Sequence, residues 1–366
     1  MKIIALFNNK GGVGKSTLAF HLGYALNELG HKTLLMDLDP QCNLTINGID
    51  EEELHNIWKS EDPYIDDFEN AKNSIGNFSK IIANPRSIHF LLKPAEDGIS
   101  DFEFLPPLIK LDNNLELLPG RLSIHMYENK LAERWSGSYQ GDNLSIRTIT
   151  NIRNICQKYS EINDYEYIIV DTSPSLGILN KSIISTVDGF LVPAQPDMFS
   201  LYGIRNIGSA LESWLKEFEI IYSLISTEKR KKFPERFVQF IGYTIYNSRP
   251  YAGLNEYNLS RAHYNYVQQI PDVIRHFIKE KNREKISDEI ISTPIGGSAV
   301  MHTHNTYPSM SQKYKCPIWL VPDIAPRRET DTKLISSISG NRDSYYAIRE
   351  RYYEFANALL ERINLL

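Results

Sequence analysis

Short runs of apolar residues alternate along the chain with stretches in which apolar residues recur at helical spacing. Residues 3–7 (IIALF) form a continuous apolar run, as a strand that is buried on both faces requires. Residues 17–30 repeat leucine at helical spacing and end in Gly30, which indicates an amphipathic helix with a glycine at its C-terminus. This alternation predicts strand–helix units.

Further apolar runs extend the pattern. Strands are predicted at residues 3–7, 33–39, 115–120, 167–171, 190–193, 237–247 and 318–322. Apolar strands that alternate with helices indicate an α/β fold, with a mostly parallel, doubly wound sheet and helices on both faces. Ligands of such sheets bind beyond the carboxyl ends of the strands. A helical pattern over residues 344–366 predicts a C-terminal helix that packs on the sheet.

Two stretches interrupt this rhythm. Residues 50–114 begin acidic and aromatic and continue with many turn residues, whereas residues 250–316 are rich in Tyr, His and Asn. Residues 268–285 of the second stretch predict a helix followed by a charged, solvated segment. We therefore predict a single domain over residues 1–366, with insertions near residues 50–114 and 250–316.

The strongest chemical signal is KGGVGKST at residues 10–17, between the first strand and the first helix. Glycines let backbone N–H groups turn toward phosphate oxygens, and the N-terminus of the following helix attracts the same anion. In the P-loop of an NTPase, Lys15 would reach the β- and γ-phosphates and Ser16 would hold Mg²⁺. The loop departs from the general G-x-x-x-x-G-K-[ST] pattern because Asn9 replaces its first glycine.

A second lysine, Lys10, precedes the glycines. With it, the loop resembles the ParA/MinD family of deviant Walker A P-loop ATPases, whose hallmark is K-G-G-x-G-K-[ST]. The segments DLDPQCNLT (37–45), VDTSPSLG (170–177) and FLVPAQPDMFSLYGIRNI (190–207) also resemble this family, and the last two are most similar to ParA. The resemblance covers residues 1–49, 115–249 and 316–366.

The resemblance implies that ATP and Mg²⁺ are cofactors and that the ATP-bound protein is a homodimer. Lys10 would reach the phosphates held by the other subunit, which links dimerisation to phosphate charge. Asp39 would orient the attacking water, and Asp37 and Asp171 would contribute to the Mg²⁺ shell. The expected catalytic residues are Lys10, Lys15 and Asp39, and the expected Mg²⁺ residues are Ser16, Asp37 and Asp171.

An adenine site is also implied by the resemblance. Asn247 would read the base edge through its amide, although an ordinary turn asparagine explains this residue equally well. Pro322 and Asp323 would lie near the ring, in the loop after the last predicted strand. The expected ATP-binding residues are Lys10, Gly11, Gly12, Val13, Gly14, Lys15, Ser16, Thr17, Asn247, Pro322 and Asp323.

Charge limits what an ATP-bound dimer could bind. The net charge of −5 excludes a basic field over the whole chain, so the non-specific DNA binding of ParA would need local clusters of cations. In DNA partitioning, ATP hydrolysis is slow and a ParB-like protein is the expected activator. Candidate DNA-binding cations lie in residues 228–232, 279–285 and 327–328 and at Arg342, Arg349 and Arg351.

Other functions of this fold remain open. The chain could be a ParA-like regulatory ATPase that positions or controls a protein partner through its insertions, a MinD-like membrane-associated ATPase, or a synthetase. Membrane binding is disfavoured because residues 359–366 contain one cation, Arg362, and Lys10 disfavours the synthetase. Three scattered cysteines and a strand-like start without signal-peptide features predict a cytoplasmic protein, associated with the nucleoid if it binds DNA.

Overall fold

One seven-stranded sheet organises the described part of the protein. The structure is a computed structural model and describes residues 1–74, 78–231, 233–246, 248–251 and 255–366. The strands are β1 (Lys2–Leu6), β2 (Thr33–Asp37), β3 (Ile109–Asp112), β4 (Leu115–Leu118), β5 (Tyr167–Asp171), β6 (Gly189–Ala194) and β7 (Gln239–Ile245). Their order is β3-β4-β2-β5-β1-β6-β7, and neighbours are parallel except β3 with β4. The predicted mostly parallel sheet is confirmed.

Helices connect the strands and cover the sheet. They are α1 (Lys15–Glu28), α2 (Asn43–Gly48), α3 (Glu51–Asp66), α4 (Phe68–Ser74), α5 (Phe78–Ile82), α6 (Ile88–Asp97), α7 (His125–Arg134), α8 (Asn143–Asn163), α9 (Ile178–Thr186), α10 (Met198–Leu224), α11 (Thr227–Arg230), α12 (Arg261–Phe277), α13 (Asp288–Ile291), α14 (Tyr307–Tyr314), α15 (Val321–Arg328), α16 (Thr332–Gly340) and α17 (Arg342–Ile363). Short 3₁₀ helices occupy Leu122–Ile124, Trp135–Gln140, Glu280–Asn282 and Ile318–Leu320.

The central strands are buried on both faces, and successive side chains enter two separate apolar cores. In β1, Ile3 and Ala5 belong to one core, whereas Ile4 and Leu6 belong to the other. Helices α8 and α10 contribute to the first core, and α1 and α17 contribute to the second. Continuous apolar runs follow from burial on both faces, and the helices lie on both sides as predicted.

The strand expected at residues 318–322 is wrong. Ile318–Leu320 form a 3₁₀ helix that leads into α15, and Pro322 lies in the first turn of α15. Proline suits that position because its φ is already helical and its missing N–H has no partner there. The run is apolar because Ile318, Trp319 and Val321 are buried in the core.

The first insertion contains more regular structure than its many turn residues predict. It contains helices α3 to α6 and the edge strand β3, which pairs antiparallel with β4. The carboxylate of Glu61 on α3 accepts the N–H of Ser87 at 2.7 Å and pairs with Arg121, after β4, at 3.1 Å. These buried polar contacts fix the insertion to the sheet.

The second insertion and the C-terminal segment complete the core beside β7. The N–H of Ile295 donates to the carbonyl of Tyr243 at 2.8 Å, and the backbone of Ser248 pairs with residues 301–303. The predicted C-terminal helix is confirmed as α17, which packs on α1 and β7. Within the described ranges, none of the helices combines the length and apolar content that crossing a bilayer demands.

Gly242 occupies a position in β7 where a side chain would be strained. Its φ is 133°, at the irregularity where the β6–β7 register shifts, and a Cβ would collide with the Arg362 guanidinium. Gly242→Ala should lower the free energy of unfolding by about 1–3 kcal/mol in urea denaturation. As a control, Gly340→Ala meets nothing within 4 Å and should stabilise by at most about 1 kcal/mol. Equal effects would contradict the strain argument.

Candidate nucleotide-binding site

The glycine-rich loop joins the end of β1 to the start of α1. Gly12 and Gly14 have φ values of 74° and 80°, a left-handed conformation that glycine adopts without a steric penalty. At Gly14, a side chain would also overlap the ring of Tyr246, which packs beneath the loop. These two glycines therefore set the turn from which α1 begins.

A cavity of about 400 Å³ opens at this turn, which is within the size range of small-molecule sites. Gly14 is the N-cap of α1, and no side chain caps this helix end. The first N–H groups of α1 are therefore available to an anion. The described residues that line the cavity are Gly11, Gly12, Val13, Gly14, Lys15, Ser16, Thr17, Asp39, Gln41, Asn43, Asn47, Pro174 and Gln312.

Lys15 and Asp39 supply the charges that line this cavity. Both side chains are buried, and Lys15 Nζ donates to the carbonyl of Asn8 at 3.2 Å. Burial lowers the pKa of Lys15, whereas the nearby carboxylates of Asp171 and Asp39 oppose that change. Asp39 Oδ1 accepts the N–H of Gln41 at 2.9 Å, which orients its carboxylate.

Asp37 lies next to the cavity at the end of β2. Its Oδ2 accepts the Thr45 hydroxyl at 2.6 Å and the Thr45 N–H at 2.8 Å, and its Oδ1 accepts the N–H of Asp39 at 3.1 Å. Burial raises the pKa of Asp37 to about 6, although these hydrogen bonds oppose the rise. A cation bound nearby would favour the ionised form of this carboxyl group at the end of β2.

Asp171 lies at the end of β5, directly beside Asp37 in the parallel register. It is fully buried, and within the described residues neither of its oxygens completes a hydrogen bond, although the Ser16 hydroxyl faces it. Burial and the charge of Asp37 hold the pKa of Asp171 well above its usual range. A buried carboxylate without a donor is a group that a cation would satisfy.

These residues fit a magnesium ion. Mg²⁺ binds proteins through one or two carboxylates together with substrate phosphates and water. Asp37, Asp171 and the Ser16 hydroxyl supply oxygen donors next to the phosphate cavity. The described residues include no group of three or more His, Cys, Asp or Glu arranged for a metal, and a magnesium–nucleotide site does not require one.

Lys10 does not line the phosphate cavity of its own chain. Its Nζ donates to Gln195 Oε1 at 2.8 Å and forms an ion pair with Asp197, the N-cap residue of α10. The pKa of Asp197 is lowered despite partial burial, because Lys10 and the N–H of Ser200 donate to its carboxylate. The two lysines of the loop therefore face different surroundings.

Of the three predicted adenine residues, the two that the structure describes do not line the cavity at the loop. Asn247 lies outside the described residues. Pro322 is buried in α15, and Asp323 accepts hydrogen bonds from Arg342 and Tyr346, both at 2.8 Å. Neither lines the cavity, and the loop that was expected to present them is a helix.

Other residues of the site were not predicted from the sequence. Asn43 and Asn47 lie one turn apart on α2, and Gln312 comes from α14 in the second insertion. Tyr246 packs beneath Gly14 and exchanges a hydrogen bond with Tyr352 of α17 at 3.0 Å. Asn43 and Asn47 follow Asp37 and Asp39 closely in the chain, so the sequence could have indicated them. No sequence signal places Gln312 at the cavity.

A parallel sheet is typical of a P-loop NTPase when a glycine-rich loop that ends in Gly14-Lys15-Ser16 joins its first strand to its first helix. Residues 1–221 match a protein-family model described as an AAA domain. Over 262 residues, 69% of this chain, the sequence is 26% identical to an uncharacterized protein of Methanocaldococcus jannaschii, of which the match covers 84%. It is also 26% identical to the chromosome partitioning protein ParA of Myxococcus xanthus, over 58% of each chain.

A comparison of folds agrees with the sequence matches. A structure described as pNOB8 ParA bound to nonspecific DNA superimposes with a TM-score of 0.54 and 17% identity, and the match covers 99% of this chain and 98% of that one. The chain belongs to the ParA/MinD-type family of P-loop ATPases.

The buried charge of Asp171 makes a testable contribution to stability. Because its pKa is raised above the ordinary value of 3.8, the native protein without a bound cation keeps a proton there that the unfolded chain loses, so stability falls as pH rises above that value. Asp171→Asn should therefore raise the Tm of the nucleotide-free protein at neutral pH and raise it less at mildly acidic pH. Magnesium with ATP should stabilise the wild type more than the variant.

The control for that experiment is Asp66→Asn, at an exposed position on α3. It should leave both the Tm and its response to magnesium and ATP unchanged. A nucleotide-free wild type that is more stable than the Asp171→Asn variant at neutral pH would contradict the assignment of an unsatisfied buried carboxylate.

Proposed function

We propose that the protein is an ATP-dependent dimerising switch ATPase of the ParA type, which hydrolyses ATP to ADP and phosphate. The position of Lys10 is the observation that best supports this function. Its ammonium group lies outside the phosphate cavity of its own chain and contacts Gln195 and Asp197 beside α10. From the surface, such a cation can turn to phosphates that a facing copy holds.

The surface around Lys10 suits a second copy of the chain. Met198, Phe199 and Tyr202, in the first turns of α10, expose 47%, 65% and 55% of their surface. The Phe199 ring lies 5.9 Å from Lys10 Nζ. Clustered large apolar side chains are typical of protein interfaces. A copy docked here would cover these side chains and bring the lysines of the two chains toward each other's sites.

The cavity and the acids beside it supply the groups that we assign to ATP hydrolysis. The N–H groups of residues 11–17 and the Lys15 ammonium would bind the phosphates, and Ser16, Asp37 and Asp171 would hold Mg²⁺. Bound magnesium neutralises charge on the phosphate oxygens. Asp39 would orient the water that attacks the γ-phosphate. We propose that turnover is slow until a ParB-like partner accelerates it.

We further propose that the ATP-bound dimer binds duplex DNA without sequence preference. The structure described as pNOB8 ParA bound to nonspecific DNA supports this proposal. Several candidate cations pair with acidic residues: Lys231 with Glu228, Lys281 with Glu219, Arg283 with Asp288, Arg342 with Asp323 and Arg349 with Glu28. Lys232 lies outside the described residues. The candidate cations that are exposed and form no ion pair with a described residue are the better ones: Lys279, Arg327, Arg328 and Arg351.

Control of a protein partner is a second candidate function, because the second insertion contacts α2. Helix α14 packs against α2, and Lys315 Nζ donates to the carbonyl of Ile46 at 2.6 Å. Segment 37–45, which contains Asp39, leads into α2. A partner that moved α14 would therefore act on a catalytic segment, as a regulatory ATPase requires.

Alanine variants of Lys10 and Lys15 should lose different properties. Lys10→Ala should abolish dimerisation with a non-hydrolysable ATP analogue. It should change the nucleotide affinity of the monomer by less than about twofold, because Lys10 lies outside the cavity of its own chain. Lys15→Ala should weaken nucleotide binding by about 10- to 100-fold, because it removes a charged donor. Sedimentation and calorimetry measure the two effects, and Lys110→Ala, at an exposed position on β3, is the control. Equal losses of nucleotide affinity would argue against contact between subunits.

DNA binding can be tested with the hydrolysis-deficient Asp39→Ala variant. With ATP, it should retain arbitrary duplex DNA at low salt and release it as salt rises, because phosphate contacts displace counterions. Adding Arg327→Glu and Arg351→Glu should reduce retention at least about tenfold and leave ATP affinity unchanged. Lys59→Glu with Lys80→Glu reverses the same number of exposed charges in the first insertion and should have little effect. No retention by Asp39→Ala would overturn the DNA proposal.

A further inference from the structure

Gln312 of the second insertion lines the nucleotide cavity. Its side chain is exposed and makes no hydrogen bond to another described residue. Asn43 and Asn47 of α2 line the same cavity. Three primary amides therefore border a cavity whose charged groups, Lys15 and Asp39, are buried at its base.

Helix α14 is fixed on both sides of Gln312. Ser311 Oγ lies 3.3 Å from His21 Nε2 on α1, and Lys315 Nζ donates to the carbonyl of Ile46 on α2 at 2.6 Å. Ser311 itself is buried. Gln312 is thus held over the gap between α1 and α2 by contacts with both helices.

His21 connects this anchor to the loop. Its Nε2 accepts the N–H of Ile318 at 3.1 Å, which assigns the ring proton to Nδ1, and Nδ1 donates to the carbonyl of Thr17 at 2.7 Å. Burial lowers the pKa of His21 to about 3, so the ring stays neutral and keeps this arrangement. Ser311 donates its hydroxyl to the carbonyl of Cys316 at 2.5 Å, so α14 meets His21, and through it Thr17 of the phosphate loop, by packing of Ser311 against the ring.

The charges of the cavity determine how a nucleotide would lie in it. Lys15 would attract the β- and γ-phosphates to the buried base of the cavity. The nucleoside would then point toward the opening, where uncharged amides replace charged groups. A primary amide both donates and accepts hydrogen bonds, so it suits a ribose hydroxyl or the edge of a base.

We propose that Gln312 contacts the nucleoside of bound ATP and hydrogen-bonds either its ribose hydroxyls or its base. This inference rests on the proposed nucleotide-binding function and gives the second insertion a direct part in it. Nucleotide binding then stabilises the contact between α14 and α2, because Gln312 and the two asparagines face the same ligand.

The test compares ATP with inorganic tripolyphosphate, which has the charges of the phosphate tail but no nucleoside. Calorimetry in the presence of magnesium should show that Gln312→Leu weakens ATP binding about tenfold, the effect of one hydrogen bond, and changes tripolyphosphate binding less than about twofold. The control Gln268→Leu makes the same change on an exposed face of α12 and should alter neither affinity. Repeating the comparison with 2′-deoxy-ATP and inosine triphosphate identifies the group contacted. The wild type and Gln312→Leu should bind with equal affinity a ligand that lacks this group.

The outcomes separate this inference from the function it rests on. Unchanged ATP affinity in Gln312→Leu, or equal losses for ATP and tripolyphosphate, would overturn the nucleoside contact alone. A wild-type protein that binds tripolyphosphate but not ATP, or neither ligand, would overturn the nucleotide-binding function itself.

Discussion

The site depends on two acids and one base that are buried together where parallel strands end. Asp37 and Asp171 occupy paired positions on β2 and β5, and Lys15 starts the helix that follows β1. Burial raises the pKa of both carboxyl groups and lowers that of Lys15, so the interior disfavours every one of these charges. A triphosphate with its divalent cation would add charge of both signs at this place. Much of the binding energy would then come from neutralising charges whose burial is unfavourable in the nucleotide-free protein.

The parts of the chain beyond residue 221, where the family match ends, support the loop from below. Tyr246 fills the space beneath Gly14 and is held by Tyr352 of the C-terminal helix. His21 joins α1 to the backbone of Ile318 and to Ser311 of the second insertion. The loop conformation therefore depends on residues that lie far along the chain. The second insertion has few local signals in the sequence, yet its side chains pack in the core.

Burial explains which parts of the structure the sequence could reveal. A strand covered on both faces must be apolar throughout, so the central strands were predictable from short runs. The same property misled the prediction at residues 318–322, because a buried 3₁₀ helix is equally apolar. For the site, spacing alone placed Lys15 beside a strand end and Asp171 at another, and the structure brings them together. The position of Gln312 at the cavity depends on packing between segments that are far apart in the chain. No local sequence pattern encodes this packing.

The ion pair between Lys10 and Asp197 has a thermodynamic consequence for assembly. A lysine that already has a carboxylate partner and an amide partner gains little by exchanging them for an equally good contact elsewhere. In the proposed dimer, an acceptor with more negative charge than one carboxylate would shift this exchange, and a triphosphate tail would shift it further than a diphosphate tail because it carries more charge. Asp197 would keep the N–H of Ser200 after Lys10 departs, so the surface left behind remains satisfied. In the proposed dimer, the existing pair would thus act as a threshold that favours discrimination between nucleotides over tight association.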